Sequence, residues 1–80
     1  MKRQQLFEIV QEIFRDIFED ENLILEESTN SNDIDDWDSL NHINLVVAIE
    51  SELKIKFNLG ELTELKDVGA MIDLIILKKQ

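Results

Sequence analysis

The sequence predicts an all-α fold: a small four-helix bundle of three main helices plus one short helix, with a long loop between the first and second helices. Two observations support this prediction. Apolar residues recur at helical spacing in three segments, and no internal repeat or low-complexity tract interrupts the chain. Because 80 residues can bury only a small core, we expect a single domain over residues 1–80.

The first helix is predicted from apolar residues that recur every three or four positions. They are Leu6, Ile9, Val10, Ile13, Phe14, Ile17 and Phe18. This spacing places them on one face of a helix of about four turns, with polar residues on the opposite face.

The segment from Glu19 to Trp37 loses this periodicity and is rich in acids, asparagine and serine. It predicts a long loop, and loops of this length in a compact domain usually have a function. Four aliphatic residues are spaced so that they can pin the loop onto the core. They are Leu23, Ile24, Leu25 and Ile34.

The second helix is predicted to begin at Asp38 and Ser39 and to end near Lys54. Asp38 suits the N-cap position, because its carboxylate can accept a hydrogen bond from an early backbone N–H. Lys54 suits the other end, where positive charge interacts favourably with the helix dipole.

The remaining residues predict one short helix and one longer one. A single helical turn is expected between Phe57 and Leu65. Asp67 is predicted to cap the last helix, which contains Gly69. Because glycine within a helix costs about 1 kcal/mol relative to alanine, this helix is expected to be the weakest of the three main ones.

The charge distribution restricts the classes of partner. The net charge of −10 argues against nucleic acid, whose phosphates would repel the chain. Residues 16–53 contain twelve acids and no lysine or arginine. Such a surface attracts partners with basic patches, although a merely solubilising acidic face is the simpler interpretation.

We expect a cytoplasmic protein that neither enters nor anchors to a membrane. The chain has no cysteine, and its longest apolar run, Leu45 to Ile49, is too short to cross a bilayer. The first residues lack the apolar stretch of a secretory signal.

No metal site is predicted, although the segment from Asn30 to Asp38 is rich in oxygen donors. A calcium-binding EF-hand loop requires glycine at its sixth position and glutamate at its twelfth. Counted from Asp33, these positions hold Asp38 and Asn44, so the pattern fails.

The second helix has more apolar residues than one buried face needs. A core stripe is predicted from Leu45, Val46, Ile49 and Leu53. Ser39, Ile43 and Val47 follow one another at intervals of four and share a neighbouring face. This face either forms an exposed docking surface or packs beneath the long loop, and the spacing alone does not decide between them.

Ser39 has three interpretations. In the first it needs no role beyond beginning the helix, as serine commonly does. It can be a nucleophile served by His42 and Asp38, but such a triad needs a substrate pocket that a small bundle does not evidently offer. It can instead accept a covalent group from another enzyme, which requires only an exposed hydroxyl at an accessible helix start.

The start of the second helix and the residues that follow it form a motif that resembles one found in a known family. The motif is Asp38-Ser39-Leu40 followed by Ile43, Leu45-Val46, Ala48-Ile49-Glu50 and Leu53. It resembles the attachment motif and second helix of acyl carrier proteins, and the similarity in spacing extends over nearly the whole chain. The resemblance implies a four-helix bundle that is not an enzyme and that carries acyl groups as thioesters, in fatty-acid or related biosynthesis.

The resemblance also implies roles for individual residues. Ser39 would receive 4'-phosphopantetheine from coenzyme A through a phosphopantetheinyl transferase, which would recognise Asp38 and Leu40. Acyl-transferring or synthase enzymes with basic docking patches would bind four residues: Ile43, Val47, Glu50 and Phe57. An acyl chain would enter the bundle interior beside Leu45, Val46, Ile49, Leu62 and Ile72. The carrier would be a monomer.

Some positions depart from the family pattern. Trp37 stands where a small residue is usual, and Asn41, His42 and Asn44 replace polar or acidic residues. These differences keep open a specialised carrier for a polyketide, amino-acyl or surface-polysaccharide pathway. Two other classes also remain: a non-covalent acidic helical adaptor, and a homodimer that uses the same apolar strip.

Overall fold

The chain forms a bundle of four helices in a computed structural model that describes residues 2–79. The helices are α1 (Arg3–Ile17), α2 (Ser39–Leu53), α3 (Leu59–Leu62) and α4 (Val68–Lys79). Within this range, β pairing is confined to an isolated bridge between Asn30 and Asp67. The predicted all-α fold, with three main helices, one short helix and a long loop between the first two, is confirmed. None of the helices in the described range has the length and apolar character needed to cross a membrane.

The core lies where α1 packs against α2 and α4. The most completely buried side chains come from all three of these helices. They are Leu6, Val10, Phe14, Leu45, Ile49, Val68, Met71, Ile72 and Ile75. The apolar positions that predicted α1 and the core stripe of α2 therefore do build the bundle interior.

Both ends of α2 lie where they were predicted. Asp38 is its N-cap, and its Oδ1 accepts a hydrogen bond of 2.9 Å from the backbone N–H of Asn41. At the other end Lys54 adopts the left-handed conformation (φ 57°), and its N–H donates to the carbonyl of Glu50. These contacts satisfy backbone groups that a helix end otherwise leaves unpaired.

The long loop is tied to α4 by backbone hydrogen bonds. The N–H of Val68 donates to the carbonyl of Thr29 (2.9 Å), and that of Gly69 donates to the carbonyl of Glu27 (2.8 Å). As predicted, Asp67 caps α4, accepting from the N–H of Ala70 at 2.7 Å. The loop therefore supplies acceptors that the first turn of α4 lacks within its own helix.

The loop also packs onto the core through its side chains. Leu25 is buried, and Leu23 and Ile34 are partly buried, as predicted. The prediction for Ile24 is wrong, since its side chain is 75% exposed. Burial alternates along this stretch, so Ile24 lies in solvent between the core-facing Leu23 and Leu25.

Two lysines at the end of α4 hold the neighbouring elements. Lys78 pairs with Glu61 of α3 at 2.7 Å and lies 5.7 Å from the centroid of the Phe57 ring. Lys79 donates to the carbonyl of Leu53 at the end of α2, at 3.0 Å. The contact of Lys78 holds α3 beside the bundle, and that of Lys79 joins the end of α4 to the end of α2.

Candidate functional site

Ser39 is the first residue of α2 and its side chain is exposed. The Asp38 cap holds this end of the helix in place, and Leu40 is 68% exposed beside it. Among residues 2–79, the backbone N–H groups of Ser39 and Leu40 have no hydrogen-bond acceptor. Unpaired N–H groups at a helix start favour an anionic group such as phosphate.

An apolar strip extends from Ser39 along the outer face of α2. Ile43 is 54% exposed and Val47 is 57% exposed, whereas Leu45 and Ile49 are completely buried. The alternative in which Ile43 and Val47 pack beneath the long loop is therefore wrong. Exposed branched side chains grouped on one helix are typical of a docking surface.

A groove of about 580 Å³ opens beside Ser39, between the start of α2 and the segment that joins α3 to α4. Its walls are partly apolar and partly polar. It is lined by Ser31, Trp37, Asp38, Ser39, His42, Ile43, Leu62, Thr63, Leu65 and Lys66. A flexible group attached to Ser39 would have this groove directly beside it.

His42 does not serve Ser39 as a base. Its Nδ1 accepts a hydrogen bond of 3.0 Å from the indole N–H of Trp37, which can only donate. The ring proton is therefore on Nε2, which lies 3.3 Å from the carbonyl oxygen of Leu62 and donates to it. Since Asp38 is occupied as the cap, the interpretation of these residues as a catalytic triad is wrong.

Glu50 and Phe57 lie further along α2 and just beyond it, and both are half-buried. The carboxylate of Glu50 accepts a hydrogen bond of 2.8 Å from the backbone N–H of Phe57. The side chain of Glu50 therefore stabilises the chain reversal after α2. Their role in docking stays a prediction.

The described residues contain no group of three or more histidine, cysteine, aspartate or glutamate side chains arranged to hold a metal ion.

Sequence reasoning missed the position of Trp37, which is buried in the wall of the groove although it lies in the acidic loop. An aromatic residue directly before the Asp38-Ser39 motif is the signal that could have indicated it.

Comparisons with known proteins agree with this geometry. The sequence profile of the family described as "Phosphopantetheine attachment site" matches residues 8–75. The solution NMR structure of a holo acyl carrier protein from Geobacter metallireducens is similar, with 48% sequence identity and a TM-score of 0.86. The match covers 91% of this chain and 84% of that one. No curated protein sequence matches the chain. The chain therefore belongs to the acyl carrier proteins of the phosphopantetheine-attachment family, which are carriers rather than enzymes.

Proposed function

We propose that Ser39 is the residue to which the covalently attached 4'-phosphopantetheine of this carrier is bound. The observation that carries the proposal is the exposed hydroxyl of Ser39 at the first position of α2, beside a groove. The residues present fit the group: free N–H groups at Ser39 and Leu40 suit its phosphate, and the groove can accommodate its chain. The group supplies a thiol that holds acyl groups as thioesters.

In the attachment step, the hydroxyl oxygen of Ser39 bonds to the phosphorus of the pantetheine phosphate in coenzyme A. The bond from that phosphorus to the bridging oxygen of the pyrophosphate breaks, and adenosine bisphosphate leaves. The hydroxyl proton goes to a base of the transferase, since His42 and Asp38 are both engaged within the carrier. Ser39 thus stays unreactive until a phosphopantetheinyl transferase binds.

Recognition by the transferase is assigned to Asp38 and Leu40, which flank Ser39 on the surface. Docking of acyl-handling enzymes is assigned to the exposed Ile43 and Val47, with Glu50 and Phe57 at the far end of the surface. The net charge of −10 supports partners with basic patches. We further propose that the carrier acts as a cytoplasmic monomer, without nucleic acid or membrane partners.

The proposed pathway is fatty-acid or related biosynthesis. A specialised carrier for a polyketide, amino-acyl or surface-polysaccharide pathway is the second candidate. It is favoured by one feature of α2: from Ser39 to Ile49 the helix has no acidic or basic side chain apart from His42. On its outer face, Asn44 donates to Asn41 at 3.2 Å. A partner that binds this stretch therefore meets amides rather than carboxylates.

The test is an intact mass measured after incubation with coenzyme A, magnesium and a broad-specificity phosphopantetheinyl transferase. The expected result is a gain of one phosphopantetheine on the peptide that contains Ser39. The Ser39→Ala variant is expected to gain nothing and to keep its helical content. Ser51→Ala is the matched control, because Ser51 is also exposed on α2 and should leave modification unchanged.

Modification of the Ser39→Ala variant would overturn the assignment of the site. No gain with several transferases, from parent protein shown to be folded, would favour the non-covalent adaptor instead. The adaptor would bind its partner through Ile43 and Val47 and would tolerate Ser39→Ala, which the carrier does not.

A further inference from the structure

A second groove lies between α1 and the end of α2, and it shares no residue with the groove beside Ser39. This α1 groove has a volume of about 600 Å³. Its floor is formed by Ile9, which is half-buried, and by the buried Ile13, and most of the surface that lines it is apolar. Accessible apolar surface gathered in one concave place is typical of a binding site.

The walls of the α1 groove carry charge of one sign. Glu8, Glu12 and Asp16 follow one another at intervals of four along α1 and form one edge of the groove. Glu52 of α2 also lines it, and no lysine or arginine does. Glu12 pairs with Arg15 of its own helix at 2.9 Å. The other three carboxylates make no ion pair among residues 2–79, so most of the charge is uncompensated.

The α1 groove and the apolar strip of α2 lie on opposite sides of that helix. Ile43 of the strip and Glu52 of the groove are nine residues apart, which is about two and a half turns of an α-helix. Their side chains therefore point in opposite directions. A protein bound in the α1 groove would leave Ser39 and the strip accessible to a second protein.

The charge and the shape of the α1 groove select the class of partner. Carboxylates at intervals of four lie about 6 Å apart along α1, which is also the spacing of basic side chains at intervals of four on a helix that lies alongside. The apolar floor between acidic walls matches the apolar face of such a helix. A second copy of this chain is disfavoured, because both copies would bring a net charge of −10.

We propose that the α1 groove is a second docking surface, which binds a basic amphipathic helix of a partner protein. This partner can stay bound while enzymes that act at Ser39 exchange on the other side of α2. The proposal is independent of attachment at Ser39, since the groove contains none of the residues assigned to attachment or to docking on α2.

The probe is a synthetic peptide of about 16 residues, held helical by a lactam bridge because isolated helices of this length are marginal in water. Lysines at intervals of four flank a stripe of leucines on both sides. Calorimetric titration of the unmodified protein at about 0.15 M salt, where distant charges are screened, should show saturable binding of one peptide. A scrambled peptide, and one with glutamine in place of leucine, should each bind at least about tenfold more weakly, because neither presents the leucine stripe.

A triple variant removes the charge of one wall: Glu8→Gln, Glu12→Gln and Asp16→Asn. Each exposed ion pair changes an equilibrium constant by about 1.4- to 5-fold, so losing three should raise the peptide's Kd about tenfold. Circular dichroism checks that the variant is folded. Glu52→Gln tests the opposite wall without altering α1 and should raise Kd about twofold.

The matched control neutralises three exposed acids that lie outside the α1 groove: Asp35→Asn, Asp36→Asn and Glu64→Gln. It changes the net charge by the same amount, and it should raise Kd by less than about twofold at this salt concentration. Ile43→Ser, on the strip, should leave the peptide's Kd unchanged. Saturating peptide should also leave the rate of phosphopantetheine transfer to Ser39 unchanged.

Each contrary result has its own meaning. The absence of saturable binding would overturn the proposal. Equal losses in the two triple variants would show that the peptide responds to the acidity of the whole chain, and the groove would then have no special role. Weaker binding to the Ile43→Ser protein would place the peptide on the strip instead. If Ser39 proved not to be the attachment residue, the measured Kd values and the proposal would stand.

Discussion

Replacing Gly69 with alanine tests how the long loop is held against α4. The sequence alone predicts that this change stabilises the protein, because glycine is a poor helix former. The structure predicts the opposite. A Cβ atom at position 69 would lie 2.8 Å from Oε1 of Glu27 and 3.0 Å from its carbonyl oxygen. That carbonyl also accepts the N–H of Gly69 at 2.8 Å, so it cannot retreat without weakening the bond.

The competing contributions have known sizes. Alanine gains about 1 kcal/mol at most from its helix propensity. Overpacking against a fixed backbone atom costs about 1–3 kcal/mol. Weakening the hydrogen bond to Glu27 adds up to about 1 kcal/mol. The balance predicts that Gly69→Ala lowers the free energy of unfolding by about 1–2 kcal/mol, which for a domain of this size lowers Tm by about 5–15 °C.

Gly60 provides the matched control. It occupies the second position of α3, as Gly69 does in α4, and a Cβ there would meet nothing within 4 Å. Gly60→Ala should therefore stabilise the protein by about 0.4–1 kcal/mol. Thermal and urea denaturation of the parent and both variants, followed by circular dichroism, measure the difference. A Gly69→Ala protein that melts at or above the parent temperature would refute the argument that loop and helix approach this closely.

Three further predictions concern charged groups. Arg3 pairs with Glu27 of the long loop and with Asp73 of α4, and these contacts raise its pKa. Arg3→Met removes both pairs and should lower the free energy of unfolding by about 1 kcal/mol at low salt, and by less at high salt. Urea denaturation measures the difference. Asp38→Ala removes the cap of α2 and should cost about 1 kcal/mol, whereas Asp38→Asn, which can also cap, should cost much less in the same assay. The hydrogen bond from the Asn58 N–H, and then the pairing with Lys78, lower the pKa of Glu61 below its usual 4.5. Its contribution to stability is therefore complete above pH 4.5 and is lost as the pH falls through the lower folded value. Melting curves from about pH 3 to pH 6 should show a smaller loss of stability in acid for Glu61→Gln than for the parent, and an equal loss in both would contradict the assignment.

The helices were largely predictable because their signals are local. Periodic apolar residues located α1, and the cap residues Asp38 and Asp67 located the starts of α2 and α4. The start of α1 at Arg3 was not predicted, because the polar residues directly before Leu6 provide no apolar signal. Ser39 could be proposed as the attachment residue on equally local grounds, since its neighbours in sequence form the motif.

The long-range contacts were not predictable. The acceptors for the first turn of α4 are backbone carbonyls of Glu27 and Thr29, and any residue type can supply a carbonyl. The contact of His42 with Leu62 was unpredictable for the same reason, because its acceptor is a backbone carbonyl oxygen. Sequence patterns report side-chain chemistry and local spacing, so contacts made by the main chain across the fold leave no signature in them.

The arrangement of charge around α2 separates two parts of the proposed docking. In that proposal, the acids of the long loop would act over distance and raise the rate of encounter with a basic partner. From Ser39 to Ile49 the outer face of α2 has no acidic side chain, and Leu40, Ile43 and Val47 are exposed there. Burying a carboxylate at the centre of an interface would carry a desolvation penalty, which this arrangement avoids by keeping the acids at the rim. In the proposed docking, steering would come from the loop and selectivity from the shape of the apolar strip, so the two could change independently among partners.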